Sequence, residues 1–338
     1  MHHRGAGHRM TAAAVIPRLP AEVTVFTSAA EVPEAARTIA LPLDTDTDLD
    51  TSAAATTASG GGPTAHGALH WAPTASAGHT ARLASIARWV AEARPDAFVV
   101  DLSVEVAAFV RLLGVPVITF TLPGRRDDPA HRLGYALSDA VIAAWPADIG
   151  PEAPSAPPER LHRVGALSRF APVAGRPAPV RFDAPVIVLH GAGGRGENPV
   201  AQAAERMRAV GLPVRELRGA GSAEVWQQLR AAPLVVSHCG ASAVAEIAAA
   251  RRPAVLIPDA RPHDEQQHLA ASLAAAGLPC RILTPDAVAG ADWITEHRLA
   301  LALDGAGWSR WNDGLAARRI ADVIAGLATG RPALGEAA

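Results

Sequence analysis

Residues 232–281 read APLVVSHCGASAVAEIAAARRPAVLIPDARPHDEQQHLAASLAAAGLPCR, and their pattern decides the fold class. The apolar run at 234–237 is typical of a buried parallel strand, and the turn at 238–242 opens a helix with Ser242 as its possible N-cap. Pro253 ends that helix, a second strand follows, and another helix covers about 264–276. Because ligands of open parallel sheets bind at the carboxyl ends of the strands, this unit predicts an α/β fold with a site at that edge.

The polar residues at this edge suit a nucleotide diphosphate. Gly240 lets the backbone approach a ligand, and the free N–H groups at the helix start favour an anion. Glu246 can accept hydrogen bonds from two ribose hydroxyls, while Gln266 and Gln267 can donate to and accept from sugar hydroxyls. The alternative interpretation is an ordinary βαβ unit with a capped helix and exposed glutamines.

The segments SHCGASAVAEIAAARRPAVLIP (237–258) and DEQQHLAASLAAAG (264–277) resemble the donor-binding half of GT-B glycosyltransferases, nearest the MurG-like members of family 28. The resemblance implies two Rossmann-like domains that face each other across a cleft. The positions that it assigns to nucleotide-sugar binding are His238, Gly240, Ala241, Ser242, Glu246, Gln266 and Gln267. Ser242 is included because Ala243 stands where the family has a hydroxyl.

The N-terminus carries a candidate catalytic base. Residues 1–10, MHHRGAGHRM, contain a Gly-x-Gly-His loop ahead of a helix predicted over about 11–19. In the resembled family such a loop opens the acceptor domain, and His8 matches its candidate base. A loop of this kind normally follows a buried strand. We therefore expect a stunted or absent first strand, or a start assigned too far downstream. The other interpretation of His8 is a loop histidine without a chemical role.

A carboxylate is predicted beside this histidine. The run Phe98-Val99-Val100-Asp101 indicates a strand that ends in Asp101 at the same sheet edge. Sugar transferases of the resembled fold often pair the catalytic histidine with an aspartate here, which stabilises the protonated imidazole. Glu105 is the second candidate for this role. Alternatively, Asp101 caps the helix that follows.

The resemblance implies further donor contacts and a domain division. Arg169 takes the place of an arginine that reaches the donor phosphates as a fixed cationic fork. In the glycine-rich loop HGAGGRG (190–196), Gly193 and Gly194 offer free N–H groups to phosphate. We expect an acceptor domain at 1–170, a linker at 171–183 and a donor domain at 184–338, with a final helix packing back on the first domain.

Composition excludes several classes of function. The 338 residues suffice for two domains, and a formal net charge of −2 gives no sign of nucleic-acid binding. The chain has no lysine, which excludes a Walker-type phosphate loop and Schiff-base chemistry. The two cysteines indicate free thiols in a reducing compartment. With no signal peptide and no apolar run of about 20 residues, we expect a cytoplasmic protein, with contact to a membrane surface left open.

These features predict a hexosyltransferase that uses a nucleotide-diphosphate sugar, in the first place a UDP-sugar. The acceptor is a hydroxyl of a glycan, a lipid-linked molecule or a natural product, and the resemblance implies inversion at the anomeric carbon. His263 and His268 do not share a helical face, so they do not form a zinc helix. The resemblance implies that no metal is bound, and no other cofactor is expected. The alternatives are an epimerase or hydrolase of the same fold and a non-catalytic nucleotide-sugar-binding protein.

Overall fold

The computed structural model of the chain describes residues 7–29, 37–44, 63–175, 184–191 and 198–330. In these ranges helices and parallel strands alternate. The elements of the first half are α1 (Gly7–Val15), β1 (Thr24–Thr27), β2 (Arg37–Ala40), α2 (Ala77–Ala93), β3 (Phe98–Val100), α3 (Val104–Leu112), β4 (Val117–Thr121), α4 (Pro129–Leu137), β5 (Ala140–Ala143) and β6 (Leu161–Arg163). Those of the second half are β7 (Val186–Leu189), α5 (Pro199–Ala209), β8 (Val214–Leu217), α6 (Ser222–Ala231), β9 (Val235–His238), α7 (Ala241–Ala250), β10 (Ala254–Ile257), α8 (Glu265–Ala275), β11 (Cys280–Ile282), α9 (Trp293–Leu301) and α10 (Ala316–Ala328). None of these described helices has the length and apolar character that a bilayer crossing requires.

The second half contains a five-stranded parallel sheet in the order β11-β10-β9-β7-β8. Every residue of β7, β9 and β10 is buried, because the sheet has a core on each face. Ile187 and Val235 contribute to one core, and Val188 and Val236 to the other. The direction of strand succession reverses between β7 and β9. Sheets of this order bind ligands at the carboxyl ends of the strands beside such a switch point.

The first half contains two smaller parallel sheets, β1-β2 and β3-β4-β5-β6. Within the described ranges no strand joins β1 to β3, and a cavity of about 620 Å³ is lined by residues of both, among them Val25 and Val99. The first strand, which we expect to be stunted or absent, would precede Gly5, and residues 1–6 lie outside the described part of the chain. That prediction therefore stays open.

Helix α1 begins and ends earlier than the sequence predicts. It covers Gly7–Val15, and a single 3₁₀ turn follows at Ile16–Arg18. Pro17 accounts for the early end, since proline lacks the N–H that a continuing α-helix needs. His8 consequently lies in the first turn of α1 rather than in a loop before it.

The C-terminal segment connects the two halves. Trp308 is buried in the second half, where its Nε1 donates to the Arg252 carbonyl oxygen at 2.7 Å. Helix α10 then packs on α1. Its Ile320 shares one core cluster with Val15 of α1 and Ile118 of β4. The last helix of the chain thus completes the hydrophobic core of the first half.

Candidate active site

The start of α7 faces the switch point of the second sheet. Gly240 is the N-cap residue, and no side chain caps the helix. The N-cap prediction for Ser242 is therefore wrong: the extended backbone of Gly240 already occupies that position, and Ser242 lies in the first turn. Ala241 is the first helical residue. Uncapped N–H groups at the positive end of a helix form a site suited to an anion.

Glu246 and Arg169, both predicted to bind donor, form an ion pair with each other. Glu246 is only 4% exposed, and its Oε1 lies 2.8 Å from Nε of Arg169. A second contact of 3.3 Å joins Nη2 of Arg169 to Oε2. Burial raises the pKa of Glu246 above its usual value, and Arg169 offsets only part of this effect. Ser222 accepts another hydrogen bond from Arg169 at 2.9 Å. The pair is thus fixed at the start of α6 and one turn into α7.

The two glutamines take different positions. Gln266 is buried, its Oε1 accepts from the Asp259 N–H at 2.9 Å, and its Nε2 faces Gly240. Gln267 is exposed and donates to the Asp259 carbonyl oxygen at 3.3 Å. The Gln266 amide therefore presents a donor to the turn before α7, and Gln267 lies at the surface.

His238 is the last residue of β9 and lies beside Gly191. Its buried Nδ1 has no hydrogen-bond partner in the described part of the chain. Burial lowers the pKa of His238, so the ring is neutral near pH 7. A buried polar atom without a partner is costly, which makes this nitrogen a candidate ligand contact. Gly193 and Gly194 lie outside the described residues, and their role stays a prediction.

His8 and Asp101 meet at the edge of the first half. Nδ1 of His8 lies 2.6 Å from Oδ2 of Asp101, and each side chain is 20% exposed. An ionised carboxylate only accepts hydrogen bonds, so Nδ1 carries the ring proton and Nε2 keeps its lone pair. Helix capping does not explain Asp101, because the N-cap of α3 is Ser103, whose Oγ accepts from the Val106 N–H. The arrangement can accept a proton at Nε2 and stabilise the resulting imidazolium.

Glu105, the second candidate partner of His8, has another task. Its carboxylate accepts hydrogen bonds from the backbone N–H groups of His70 and Trp71 and from Oγ of Ser103. Glu105 therefore holds the loop before α2 against the start of α3. The prediction that it pairs with His8 is wrong for this structure.

The two predicted clusters face each other. A Cβ on Gly7 would lie 3.8 Å from Oγ of Ser242, which puts the start of α1 next to the start of α7. His8 follows Gly7 directly. The residue before the predicted base is therefore adjacent to the uncapped start of α7.

Sequence reasoning missed a second junction between the halves. The Arg125 N–H donates to the His263 carbonyl oxygen at 2.7 Å, and Arg126 forms an ion pair with Glu265. Gly124 (φ 107°) permits this approach, since a Cβ there would lie 2.3 Å from the His263 oxygen. The charged stretches GRRDDPAH and RPHDE signal polar loops, but nothing in their spacing indicates that they meet.

The two halves are built on parallel sheets, and the uncapped start of α7 lies next to the start of α1, which carries the His–Asp pair. This arrangement is that of a GT-B glycosyltransferase. Comparisons with known proteins agree with this class and give the family. Residues 222–297 match the model of the glycosyltransferase family 28 C-terminal domain.

One curated relative is the UDP-N-acetylglucosamine--N-acetylmuramyl-(pentapeptide) pyrophosphoryl-undecaprenol N-acetylglucosamine transferase of Clavibacter michiganensis subsp. michiganensis (strain NCPPB 382). It is 30% identical over 257 residues, which cover 67% of this chain and 68% of the relative. The crystal structure of Acinetobacter baumannii MurG superposes with a TM-score of 0.59 at 16% identity and covers 96% of this chain and 98% of its own. The calicheamicin glycosyltransferase CalG4 gives a TM-score of 0.62 at 19% identity, with 98% of each chain covered.

The chain belongs to glycosyltransferase family 28. It has the GT-B fold with two Rossmann-like domains and is a hexosyltransferase that moves a sugar from a nucleotide-sugar donor to an acceptor.

Proposed function

We propose that this chain transfers N-acetylglucosamine from UDP-N-acetylglucosamine to a hydroxyl of a lipid-linked acceptor, with His8 as the catalytic base. The observation that carries the proposal is the 2.6 Å pair of His8 and Asp101. Gly7, the residue before His8, lies next to the start of α7. The choice of donor and acceptor rests on the relative from Clavibacter michiganensis, whose name states both.

The proposed reaction is a single displacement. Nε2 of His8 takes the proton of the acceptor hydroxyl while the hydroxyl oxygen attacks the anomeric carbon. The bond from that carbon to the diphosphate oxygen breaks, and UDP leaves with the electron pair. Asp101 stabilises the imidazolium that forms. Because attack and departure occur on opposite faces, the product has inverted configuration.

The second half would supply the charge compensation for the leaving group. The N–H groups from Ala241 onward and the guanidinium of Arg169 are the chain's own positive groups at this place. Glu246 would hold the ribose hydroxyls. Since Glu246 is paired with Arg169, donor binding requires an exchange of partners in which ribose takes the carboxylate and diphosphate takes the guanidinium. We propose no metal in this step.

The donor sugar would lie between the two halves. Gln266 faces Gly240, and its amide can donate to a sugar hydroxyl without breaking the bond from Asp259. Gln267 would contact the sugar from the exposed side, and Ser242 a phosphate oxygen. A lipid-linked acceptor implies that the first half approaches a membrane surface during turnover.

The test is product formation followed by mass spectrometry. The purified chain is incubated with UDP-N-acetylglucosamine, with and without a lipid-linked acceptor that carries a free sugar hydroxyl. A glycosylated acceptor, with UDP released only in its presence, supports the proposal. Free sugar or an isomerised nucleotide sugar without acceptor would instead show a hydrolase or an epimerase. No conversion of this donor would refute the choice of substrate.

A further inference from the structure

The second junction between the halves, residues 122–131 against 261–265, contains a concentration of imidazole groups. We call these two segments, together with His70 from the loop before α2, the latch. His70 from the loop before α2, His131 from α4 and His263 from the loop before α8 all surround Asp128. The ring centroids of His70 and His131 are 4.4 Å apart, and those of His131 and His263 are 4.8 Å apart. Three segments from both halves thus converge on one carboxylate.

Three side chains of the latch lie close enough together to share one metal ion. Asp128 Oδ1 lies 3.1 Å from Nε2 of His70, and Oδ2 lies 2.5 Å from Nδ1 of His131. Nδ1 of His263 is 3.9 Å from the same Oδ2. One donor atom each of His70, Asp128 and His131 lies within 4.8 Å of the others. A tetrahedral zinc ion with bonds of about 2.0–2.1 Å needs ligand separations of about 3.3 Å. Three of the groups are thus within 4.8 Å of one another, and the imidazole of His263 lies beside them.

The charge of the latch selects the kind of ligand. The carboxylate of Asp128 lies at the centre of the latch and repels phosphate and other anions. This repulsion acts at the centre even though Arg125 and Arg126 lie nearby. Imidazole nitrogens prefer zinc, cobalt and nickel, whereas magnesium and calcium prefer oxygen ligands. The combination of three imidazoles and one carboxylate therefore favours a divalent transition-metal ion.

We propose that His70, Asp128, His131 and His263 form an interdomain site for a divalent transition-metal ion, with Zn²⁺ as the reference ion. The ion would link the two halves, because three ligands come from the first half and His263 comes from the second. This inference is independent of the proposed sugar-transfer step, in which the ion takes no part.

Binding would also change the hydrogen bonds of Arg126. In this structure Nη1 of Arg126 lies 3.1 Å from Nε2 of His131, which accepts while Nδ1 donates to Asp128. A metal ion bound to Nδ1 of His131 would move the ring proton to Nε2. Nε2 would then carry an N–H donor that faces the N–H donor of Arg126, and the hydrogen bond between them would be lost. Arg126 keeps the Leu122 carbonyl oxygen at 3.1 Å and its ion pair with Glu265. The ion would thus favour the pairing of Arg126 with Glu265, the residue before Gln266. This pairing would hold the two halves together more firmly next to the proposed donor site.

Isothermal titration calorimetry with Zn²⁺ tests the proposal on the full-length, tag-free chain after removal of metal by a chelator, without substrate. The variants are His70→Ala, His263→Ala and Asp128→Asn. Asparagine keeps the side-chain oxygen that accepts from the His131 N–H and caps α4. The matched control is His268→Ala, which removes an exposed histidine of α8 outside the latch.

We expect one Zn²⁺ per chain, an affinity lowered at least about tenfold in each latch variant, and a change of less than about twofold in the control. An excess of Mg²⁺ should not displace the ion. Equal affinities in the wild type, Asp128→Asn and His70→Ala would overturn the proposal. His70 lies in a loop, so these two variants decide the matter even if His263→Ala does not fold. Replacement by Co²⁺ gives a second readout: its tetrahedral absorption bands should be present in the wild type and lost in Asp128→Asn.

Discussion

The two halves of the molecule build their sites on unequal scaffolds. In the second half, five adjacent strands with a core on both faces support the proposed donor site. In the described part of the first half, β1-β2 and β3-β4-β5-β6 are separate sheets with a cavity between them, and Val99 of β3 is 39% exposed. The proposed donor site therefore rests on a filled core, whereas the proposed base lies on α1 beside a cavity, paired with Asp101. UDP affinity and kcat should accordingly respond to different mutations.

The largest expected effect comes from removing the proposed base. His8→Ala should lower kcat by about 10²–10⁴-fold, the usual contribution of general-base catalysis. The affinity for UDP should change by less than about twofold, because no donor contact is assigned to this side chain. Initial rates at saturating donor and calorimetry with UDP measure the two quantities.

Asp101→Asn serves as the partner variant. It keeps the shape of the pair but removes the negative charge that stabilises the imidazolium, so kcat should again fall while UDP binding stays. A parallel loss of UDP affinity in either variant would contradict the separation of the two sites and assign His8 to the donor.

An effect of intermediate size, on the free energy of unfolding, distinguishes the sheet of the second half from the sheets of the first half. Val236→Ala in β9 removes buried methyl groups and should lower the free energy of unfolding by about 2 kcal/mol. Val99→Ala in β3 makes the same change at the wall of the cavity and should cost less than about 0.5 kcal/mol. Calorimetric unfolding of the two variants gives the comparison. Equal losses of unfolding free energy in the two variants would show that the cavity beside Val99 is filled in solution.

The smallest effect concerns the cost of burying Glu246. Because burial raises its pKa above the usual 4.5, the folded chain holds this proton more tightly than the unfolded chain. Its contribution to stability is thus present below about pH 4.5 and declines as pH rises through the raised pKa. Glu246→Gln does not ionise, so its Tm should drop less than that of the wild type between about pH 4.5 and 7. Scanning calorimetry at several pH values tests this, and a pH-independent Tm difference would contradict it.

The sequence predicts those parts of the fold and of the site that a local residue pattern determines. Apolar runs and the turn at Gly240 indicate the strands of the second sheet, and the shared carboxyl edge brings Asp101 towards His8 across 93 positions. Contacts between distant loops leave no such signal. The pairing of Arg169 with Glu246, and the meeting of Asp128 with His263, depend on how the halves pack. The sequence favours Ser242 as the N-cap of α7 because its hydroxyl is a good N-cap. The backbone conformation of Gly240 instead places the cap two residues earlier.

Calorimetric titration of UDP into the wild type and Glu246→Ala tests most directly the claim that the second half binds the donor. The matched control is Glu296→Ala, which breaks another glutamate–arginine pair, with Nη2 of Arg281 3.0 Å from Oε1 of Glu296. The account predicts one UDP per chain, weaker binding of GDP and dTDP, and an affinity at least about tenfold lower in Glu246→Ala but not in the control. Failure of the folded wild type to bind UDP, or equal affinity in both variants, would contradict it.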